Sequence, residues 1–210
     1  MARLLRKTAL AAACSFSLIA ATCGAAGAAA TLGDGAGAAG KAAGKAAGGN
    51  ICEREMAVAA KKYGVPLGVL YAVGLTETGR KGSLQPYAMN IHGRPFFGKS
   101  VADALEEFKR SRAAGSKLID MGCMQINHHF HSEHFASPAD MFNPKKNVDY
   151  AARFLTNLRK REGSWTLAVA RYHAGPNNNP AQKRYVCAVI TNMVATGFGA
   201  WTKESKEFCG

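Results

Sequence analysis

Acidic residues are scarce in this chain: its 210 residues include 14 Asp and Glu against 27 Lys and Arg, for a formal net charge of +13. A balance this basic indicates an anionic partner, and nucleic acid, a membrane surface and an acidic polymer are the main classes. Simple solubility would also explain the charge. Composition alone therefore does not choose among these explanations.

Recognisable metal, redox and nucleic-acid motifs are also missing. There is no C-x-x-C pair, so neither a zinc knuckle nor a thioredoxin-type redox site is supported. The histidine-rich segment 128–134 has neither the H-E-x-x-H nor the H-x-x-E-H spacing, and we interpret it as a polar loop. We therefore expect no metal, no cofactor and no nucleic-acid partner.

The N-terminus lacks a hydrophobic run long enough for a stable membrane span, because the apolar segment Thr8 to Ala21 is too short. This segment follows a basic stretch, residues 1–7, and precedes small residues in the A-x-A arrangement of a signal-peptidase site. We predict that residues 1–30 are a cleaved export signal and that the mature protein is periplasmic, without a membrane span. Cys23 allows a lipoprotein alternative, which the poor lipobox before it disfavours.

Residues 31–49 are nearly all Ala, Gly and Lys and cannot bury a core. We predict that they form a flexible linker and that residues 50–210 form one folded domain. Four cysteines lie in that domain, and an even number in an exported protein indicates two disulfides. Three connectivities are open, of which we favour Cys52 with Cys123 and Cys187 with Cys209.

Helical periodicity and capping residues dominate the domain. A first helix is predicted over residues 51–63 after an Asn50 cap. The segment from Tyr87 to Phe97 has a His-Gly centre and is predicted to form one small β-hairpin. The fold is therefore expected to be mainly α. Further helices are predicted to begin at Ser100, Ser137, Asn143, Ser164 and Asn179, the last of these being the final helix.

A buried helix that ends in a single acid is the most informative local feature. Pro66 suits its first turn and Gly79 its end, and the residues between them are apolar on nearly all sides. Glu77 shares the side of Val73, one turn earlier. A carboxylate there loses hydration, which raises its pKa as a general acid requires. The alternative is a helix end with Glu77 turned to water.

Three short motifs follow one another in the domain: Leu75-Thr-Glu-Thr-Gly79, Gly122-Cys-Met-Gln-Ile-Asn127 and Ala170-Arg-Tyr-His-Ala-Gly175. In this order they resemble the core motifs of the soluble lytic transglycosylase (SLT) domain family, most closely its stand-alone enzymes of flagellar and secretion machines. The resemblance runs from about Cys52 to Val189. It implies a goose-lysozyme-like fold: a mainly α (α+β lysozyme-like) domain with one small β-hairpin.

The resemblance also implies roles for single residues. Glu77 would be the only catalytic carboxylate, and Tyr172 would hydrogen-bond this acid or the substrate. Tyr185 resembles a family tyrosine that lines the cleft, although a plain core position explains it equally well. The chain departs from the family patterns at Thr78, Cys123 and His173, where the family has Ser, Leu and Asn. The substrate-binding residues implied are Thr78, Gly122, Met124, Gln125, Asn127, Tyr172 and Tyr185.

A second carboxylate is missing where a conventional glycosidase needs one, because residues 78–102 contain neither Asp nor Glu. Asp120 is the nearest later candidate, and we interpret it as a local turn or cap residue. In the family the substrate itself supplies the nucleophile. Glu77 would protonate the bond between N-acetylmuramic acid and N-acetylglucosamine and then deprotonate the C6 hydroxyl, which closes to a 1,6-anhydro ring.

Peptidoglycan glycan strands are therefore the expected partner, and their peptide carboxylates suit the basic chain. A flagellar or secretion-system component is a further candidate partner that the resemblance suggests. Two alternatives stay open at this point. One is a lysozyme that hydrolyses the same bond, and the other is a non-catalytic wall-binding component of such an assembly.

Overall fold

The computed structural model describes residues 49–80, 82–175 and 177–210. The predicted export signal and nearly all of the predicted linker lie outside the described residues. Within the part that is described, none of the helices combines the length and the apolar character that a membrane span requires.

The described chain is mainly helical, and the predicted caps explain where its helices begin. Asn50 accepts a hydrogen bond from the backbone N–H of Glu53, three residues on. Ser100, Ser137, Asn143 and Ser164 each cap a helix in the same way. The helices are α1 (Ile51–Tyr63), α2 (Leu67–Thr78), α3 (Val101–Ala113), α4 (His128–His131), α5 (Pro138–Phe142), α6 (Pro144–Glu162), α7 (Trp165–His173), α8 (Asn179–Ala195) and α9 (Lys203–Cys209).

The end of the chain differs from the prediction in two details. Asn178, rather than Asn179, caps α8, because its side chain accepts the backbone N–H of Ala181. A further helix, α9, follows, so α8 is not the final helix. Its seven residues have too little apolar periodicity to be recognised in the sequence.

The predicted hairpin is present, and it belongs to a larger sheet. β1 (Ala88–Ile91) and β2 (Arg94–Phe97) pair antiparallel across a tight turn. A second hairpin, formed by β3 (Ile119–Met121) and β4 (Ile126–Asn127), pairs with β1, so that the strand order is β2-β1-β3-β4. Strands of three and two residues are too short for alternation to indicate them, so the sequence does not predict the second hairpin.

Helix α2 is held by packing on several sides. It contacts α1 and α8, and Leu70 and Val73 are completely buried in the core. At its C-terminal end the buried hydroxyl of Thr78 donates to the backbone carbonyl of Cys123, at 3.1 Å. The packing therefore fixes the position of Glu77 relative to the second hairpin.

Both favoured disulfides are present. Cys52–Cys123 links α1 to the loop of the second hairpin, and Cys187–Cys209 links α8 to α9. The first bond joins residues 71 positions apart, so it removes much of the freedom of the unfolded chain, in the range of about 2–5 kcal/mol. It also anchors the loop between β3 and β4 to the helical core.

Candidate active site

The three sequence motifs meet at one cavity of about 330 Å³. It lies where the C-terminal end of α2, the second hairpin and the end of α7 come together. Two larger cavities are lined by other residues, and neither of them includes Glu77. The cavity is lined by Glu77, Asn90, Asp120, Gln125, Ile126, Asn127, Phe130, His131, Phe154, Tyr172 and His173.

Glu77 lies near the end of α2 and faces this cavity, half-buried. Burial raises the pKa of its carboxyl from an ordinary 4.5 to about 7. A hydrogen bond from Tyr185 opposes this rise, and the negative charge of Asp120 adds to it. At neutral pH Glu77 is therefore divided between its protonated and ionised forms, so it can both donate and accept a proton.

Tyr185 of α8 orients the Glu77 carboxyl. Its hydroxyl donates to Glu77 Oε1 at 2.5 Å. Tyr185 is only 5% exposed, and its ring stacks on the imidazole of His173, with centroids 4.2 Å apart and planes inclined by 4°. Burial and the nearby Glu77 charge raise the pKa of Tyr185 well above its usual value, so it stays a donor. Tyr185 is thus a core aromatic whose polar end reaches the acid.

Tyr172 hydrogen-bonds a backbone carbonyl, whereas a bond to Glu77 or the substrate was expected. It lines the cavity with Glu77, but its hydroxyl donates to the backbone carbonyl of Met124, at 2.7 Å. This bond ties the third motif to the second motif. The tyrosine that contacts the acid is Tyr185, which lies outside the three motifs.

Gln125 and Asn127 face the cavity, as their assignment to substrate binding requires. Gln125 has a φ of 46°, and its amide nitrogen donates to the backbone carbonyls of Ala88 and Gly122 at 3.1 and 3.0 Å. These bonds use the amide hydrogens, so the amide oxygen is the atom offered to a ligand. The amide nitrogen of Asn127 donates to Asp120 Oδ1 at 2.7 Å.

Thr78, Gly122 and Met124, which the resemblance assigned to substrate binding, support the site from behind. Thr78 and Met124 are buried, 3% and 0% exposed. Gly122 has a φ of 80°, and a Cβ there would lie 2.6 Å from the amide nitrogen of Asn147. The close approach that Gly122 permits is therefore to Asn147 of α6.

Asn147 is a supporting residue that the sequence analysis missed. It is completely buried, and its amide nitrogen donates to the carbonyls of Met121 and Met141, each at 2.9 Å. Its amide oxygen accepts the backbone N–H of Met124 at 2.9 Å. One amide thereby holds the end of β3 and the backbone of Met124 in the loop that follows it. A polar residue beside Val148, on the buried face of a helix, was the signal available.

Asp120 is a second carboxylate in the cavity, so its interpretation as a turn or cap residue is wrong. It lies in β3, opposite Asn90 of β1 and Asn127 of β4. Burial raises its pKa, while hydrogen bonds from the amides of Asn127 and Asn90 lower it. The amide oxygen of Asn90 is buried without a hydrogen-bond partner, which leaves it able to accept a donor from a ligand.

The histidine-rich segment forms α4 and a 3₁₀ turn, Ser132–His134, so it is not the loop that was predicted. Its rings pack on aromatic neighbours: His131 hydrogen-bonds the hydroxyl of Tyr150 at 2.8 Å, and His134 stacks on the same ring. Across the described residues, no three side chains of His, Cys, Asp or Glu converge in a way that would hold a metal ion.

Comparison with known proteins gives one match. The model of the family described as "Transglycosylase SLT domain" matches residues 55–192, well over half of the chain. The matched span contains every residue that lines the cavity, and it also contains Tyr185 and Asn147. No curated protein and no solved structure matches the chain significantly.

Proposed function

This chain belongs to the transglycosylase SLT domain family, and on that premise we propose that it cleaves the β-1,4 bond between N-acetylmuramic acid and N-acetylglucosamine with Glu77 as its acid and base. Membership of the family supports lytic transglycosylase activity on peptidoglycan in general. The helical fold with a small antiparallel sheet agrees with the lysozyme-like fold of such domains. The observation that carries the finer proposal is the raised pKa of Glu77, about 7, in the cavity where the motifs meet.

The proposed reaction uses the two states of Glu77 in turn. The protonated carboxyl donates its proton to the glycosidic oxygen, and the C1–O bond breaks while the muramyl acetamido group supports the positive charge at C1. The carboxylate then takes the proton of the C6 hydroxyl, and the C6 oxygen bonds to C1. The products are a 1,6-anhydro-N-acetylmuramic acid end and a free C4 hydroxyl on N-acetylglucosamine. No water is consumed, and Glu77 ends protonated, as it began.

The other residues of the cavity support this chemistry in the proposal. Tyr185 holds one oxygen of Glu77, so that the other oxygen is directed at the substrate. The amide oxygens of Gln125 and Asn90 accept sugar hydroxyls or acetamido N–H groups. Asp120 helps Glu77 to stay protonated through its negative charge. Tyr172 and Asn127 line the same cavity and complete the sugar-binding surface.

The substrate and the disulfides both agree with a location outside the cytoplasm. A cell-wall polymer and two disulfides are both consistent with an extracytoplasmic protein. We propose that residues 1–30 export the protein to the periplasm. A flagellar or secretion assembly is the setting that the motif resemblance suggests for its activity.

Mass spectrometry of digested peptidoglycan tests the reaction directly. Purified protein is incubated with sacculi, the released muropeptides are weighed, and a hydrolytic muramidase provides the reference for reducing ends. We expect 1,6-anhydro ends, each lighter than the hydrolysed product by one water. Reducing ends would identify a lysozyme, and no released product would favour a non-catalytic wall-binding protein.

The hydrolytic alternative has one observation in its favour. Asp120 places a second carboxylate in the cavity with Glu77, and glycosidases that use water require such a pair. The hydrogen bonds of Asp120 to neighbouring amides favour a structural and electrostatic role instead. The muropeptide masses distinguish the two mechanisms.

The pH dependence of the cleavage rate should change when Tyr185 is replaced by Phe. Activity needs protonated Glu77, so we expect the wild-type rate to fall as the pH rises through about 7. This fall is the alkaline limb of the pH–rate profile. The Tyr185 hydrogen bond stabilises the carboxylate and lowers the pKa of Glu77, so losing this bond should move the alkaline limb to higher pH, by about one pH unit. Initial rates of sacculus digestion across a pH series measure the shift.

Tyr172→Phe is the matched control for that variant. It also removes a phenol hydroxyl from beside the site, but that hydroxyl bonds to Met124 rather than to Glu77. Its alkaline limb should stay at the wild-type position even if the rate decreases. Equal limb shifts in both variants, or no shift in Tyr185→Phe, would refute the assigned role of Tyr185.

A further inference from the structure

A second cavity, of about 580 Å³, shares an aromatic wall with the first cavity. Tyr150 of α6 lines the second cavity. His131 and Phe154, which line the first cavity, both contact Tyr150: His131 through the 2.8 Å hydrogen bond and Phe154 by stacking, with centroids 6.2 Å apart. A polymer bound in the first cavity therefore lies one layer of aromatic rings from the second.

The second cavity is rich in cations, and its acids are already paired. Lys62 bonds to Asp149 at 2.6 Å, and Lys146 bonds to Asp140 at 2.7 Å. These pairs neutralise both of the carboxylates that line the cavity, so they leave no free carboxylate for a cationic ligand.

Two further cations line this cavity and add to its positive charge. Lys145 and Arg153 have no carboxylate within salt-bridge distance among the described residues. Both belong to α6 and are exposed to solvent. The cavity therefore carries an excess of positive charge that an anionic group would complement.

The side chain of Arg153 is restricted by a contact with an aromatic ring. Its guanidinium lies over the ring of Tyr150, 5.5 Å from the centroid. Such a contact restricts the side chain while leaving its N–H donors open, and the planar fork of donors matches a carboxylate. The stacked rings of Tyr150 and His134 add an apolar surface beside these donors.

We propose that this second cavity binds a carboxylate-bearing stem peptide of the peptidoglycan strand whose glycan occupies the first cavity. The inference rests on the proposed function for the identity of the polymer. Stem peptides are attached to the muramic acid units and are the anionic part of the strand. A muramyl unit held beside Glu77 would thus present its peptide to Lys145 and Arg153 across the shared aromatic wall.

Binding of the stem carboxylates is tested with the full-length protein carrying Glu77→Gln, which prevents digestion. Sacculi are divided into a mock-treated sample and a sample whose carboxylates are amidated with carbodiimide and excess methylamine. Cosedimentation at low salt gives an apparent affinity for each sample. We expect the untreated sacculi to bind about 5–10-fold more tightly, a difference that 0.5 M NaCl should largely remove.

The preference is the ratio of the affinities for untreated and amidated sacculi. The double variant Lys145→Gln with Arg153→Gln, in the same background, should reduce this preference to within about twofold. Lys160→Gln is the control that removes one charge elsewhere, because Lys160 is an exposed lysine on the same helix, about 22 Å from Lys145 along its axis. Its preference should match that of the unaltered background. Thermal melts verify that all variants are folded.

Two outcomes would overturn the proposal. One is equal binding of amidated and untreated sacculi by the Glu77→Gln protein. The other is a loss of preference in Lys160→Gln at least half as large as the loss in the double variant, because a general charge effect would scale with the number of charges removed. Because binding is measured without turnover, these outcomes are distinct from a failure of the muropeptide experiment, which tests the cleavage alone.

Discussion

Glu77→Gln should lower the rate of glycan cleavage by about a thousandfold or more. Glutamine keeps the shape of the side chain and can still accept the Tyr185 hydrogen bond, but it has no proton to donate to the glycosidic oxygen. It also cannot remove the C6 proton, so both halves of the proposed reaction are lost. The release of soluble muropeptides from sacculi measures the rate, and circular dichroism verifies the fold.

Asp120→Asn is the informative control, because it neutralises the other carboxylate of the same cavity. With a single acid and base, its rate should fall by no more than about tenfold. Its alkaline limb should move to lower pH, because the charge of Asp120 raises the pKa of Glu77. Substantial activity in Glu77→Gln would contradict the proposal. An Asp120→Asn variant as inactive as Glu77→Gln would instead indicate a two-carboxylate mechanism.

Gly122→Ala should destabilise the domain by about 3–5 kcal/mol. An alanine at a φ of 80° is strained by about 1–2 kcal/mol. Its Cβ would also lie 2.6 Å from Asn147 Nδ2 and 2.7 Å from the Met141 carbonyl, which either overpacks the core or breaks the buried hydrogen bonds of Asn147. We expect Tm to fall by about 10 °C in a thermal melt of the oxidised protein.

Gly163→Ala isolates the backbone part of that effect. Gly163 ends α6 with a φ of 83°, and a Cβ there would meet no atom within 4 Å. Its cost should be the strain alone, about 1–2 kcal/mol. If the two variants lost the same stability, the packing of Gly122 against Asn147 would not matter. In that case the loop between β3 and β4 would be held mainly by its disulfide and its strand pairing.

Local features of this protein were predictable because they depend on neighbouring residues. The serine and asparagine caps bond the N–H three positions on, which is why Ser100, Asn143 and Ser164 marked helix starts correctly. The cap of α8 was misplaced by one residue, because three consecutive asparagines precede Pro180 and their residue type does not distinguish them. The second hairpin was missed for two reasons. Its pairing with β1 is a long-range contact, and a three-residue strand shows too little alternation to be recognised in the sequence.

The sequence by itself determined that the domain is mainly helical and that Glu77 ends a buried helix. It also determined the order of the three motifs, and the family match spans all of them. These properties follow from local spacing and residue type. The tertiary structure decided which groups surround the acid: Tyr185, 108 residues away, contacts Glu77, and Asp120 enters the cavity from β3. Such partners are set by how the helices and the sheet pack, because a hydrogen bond between distant residues forms only where the core brings them together.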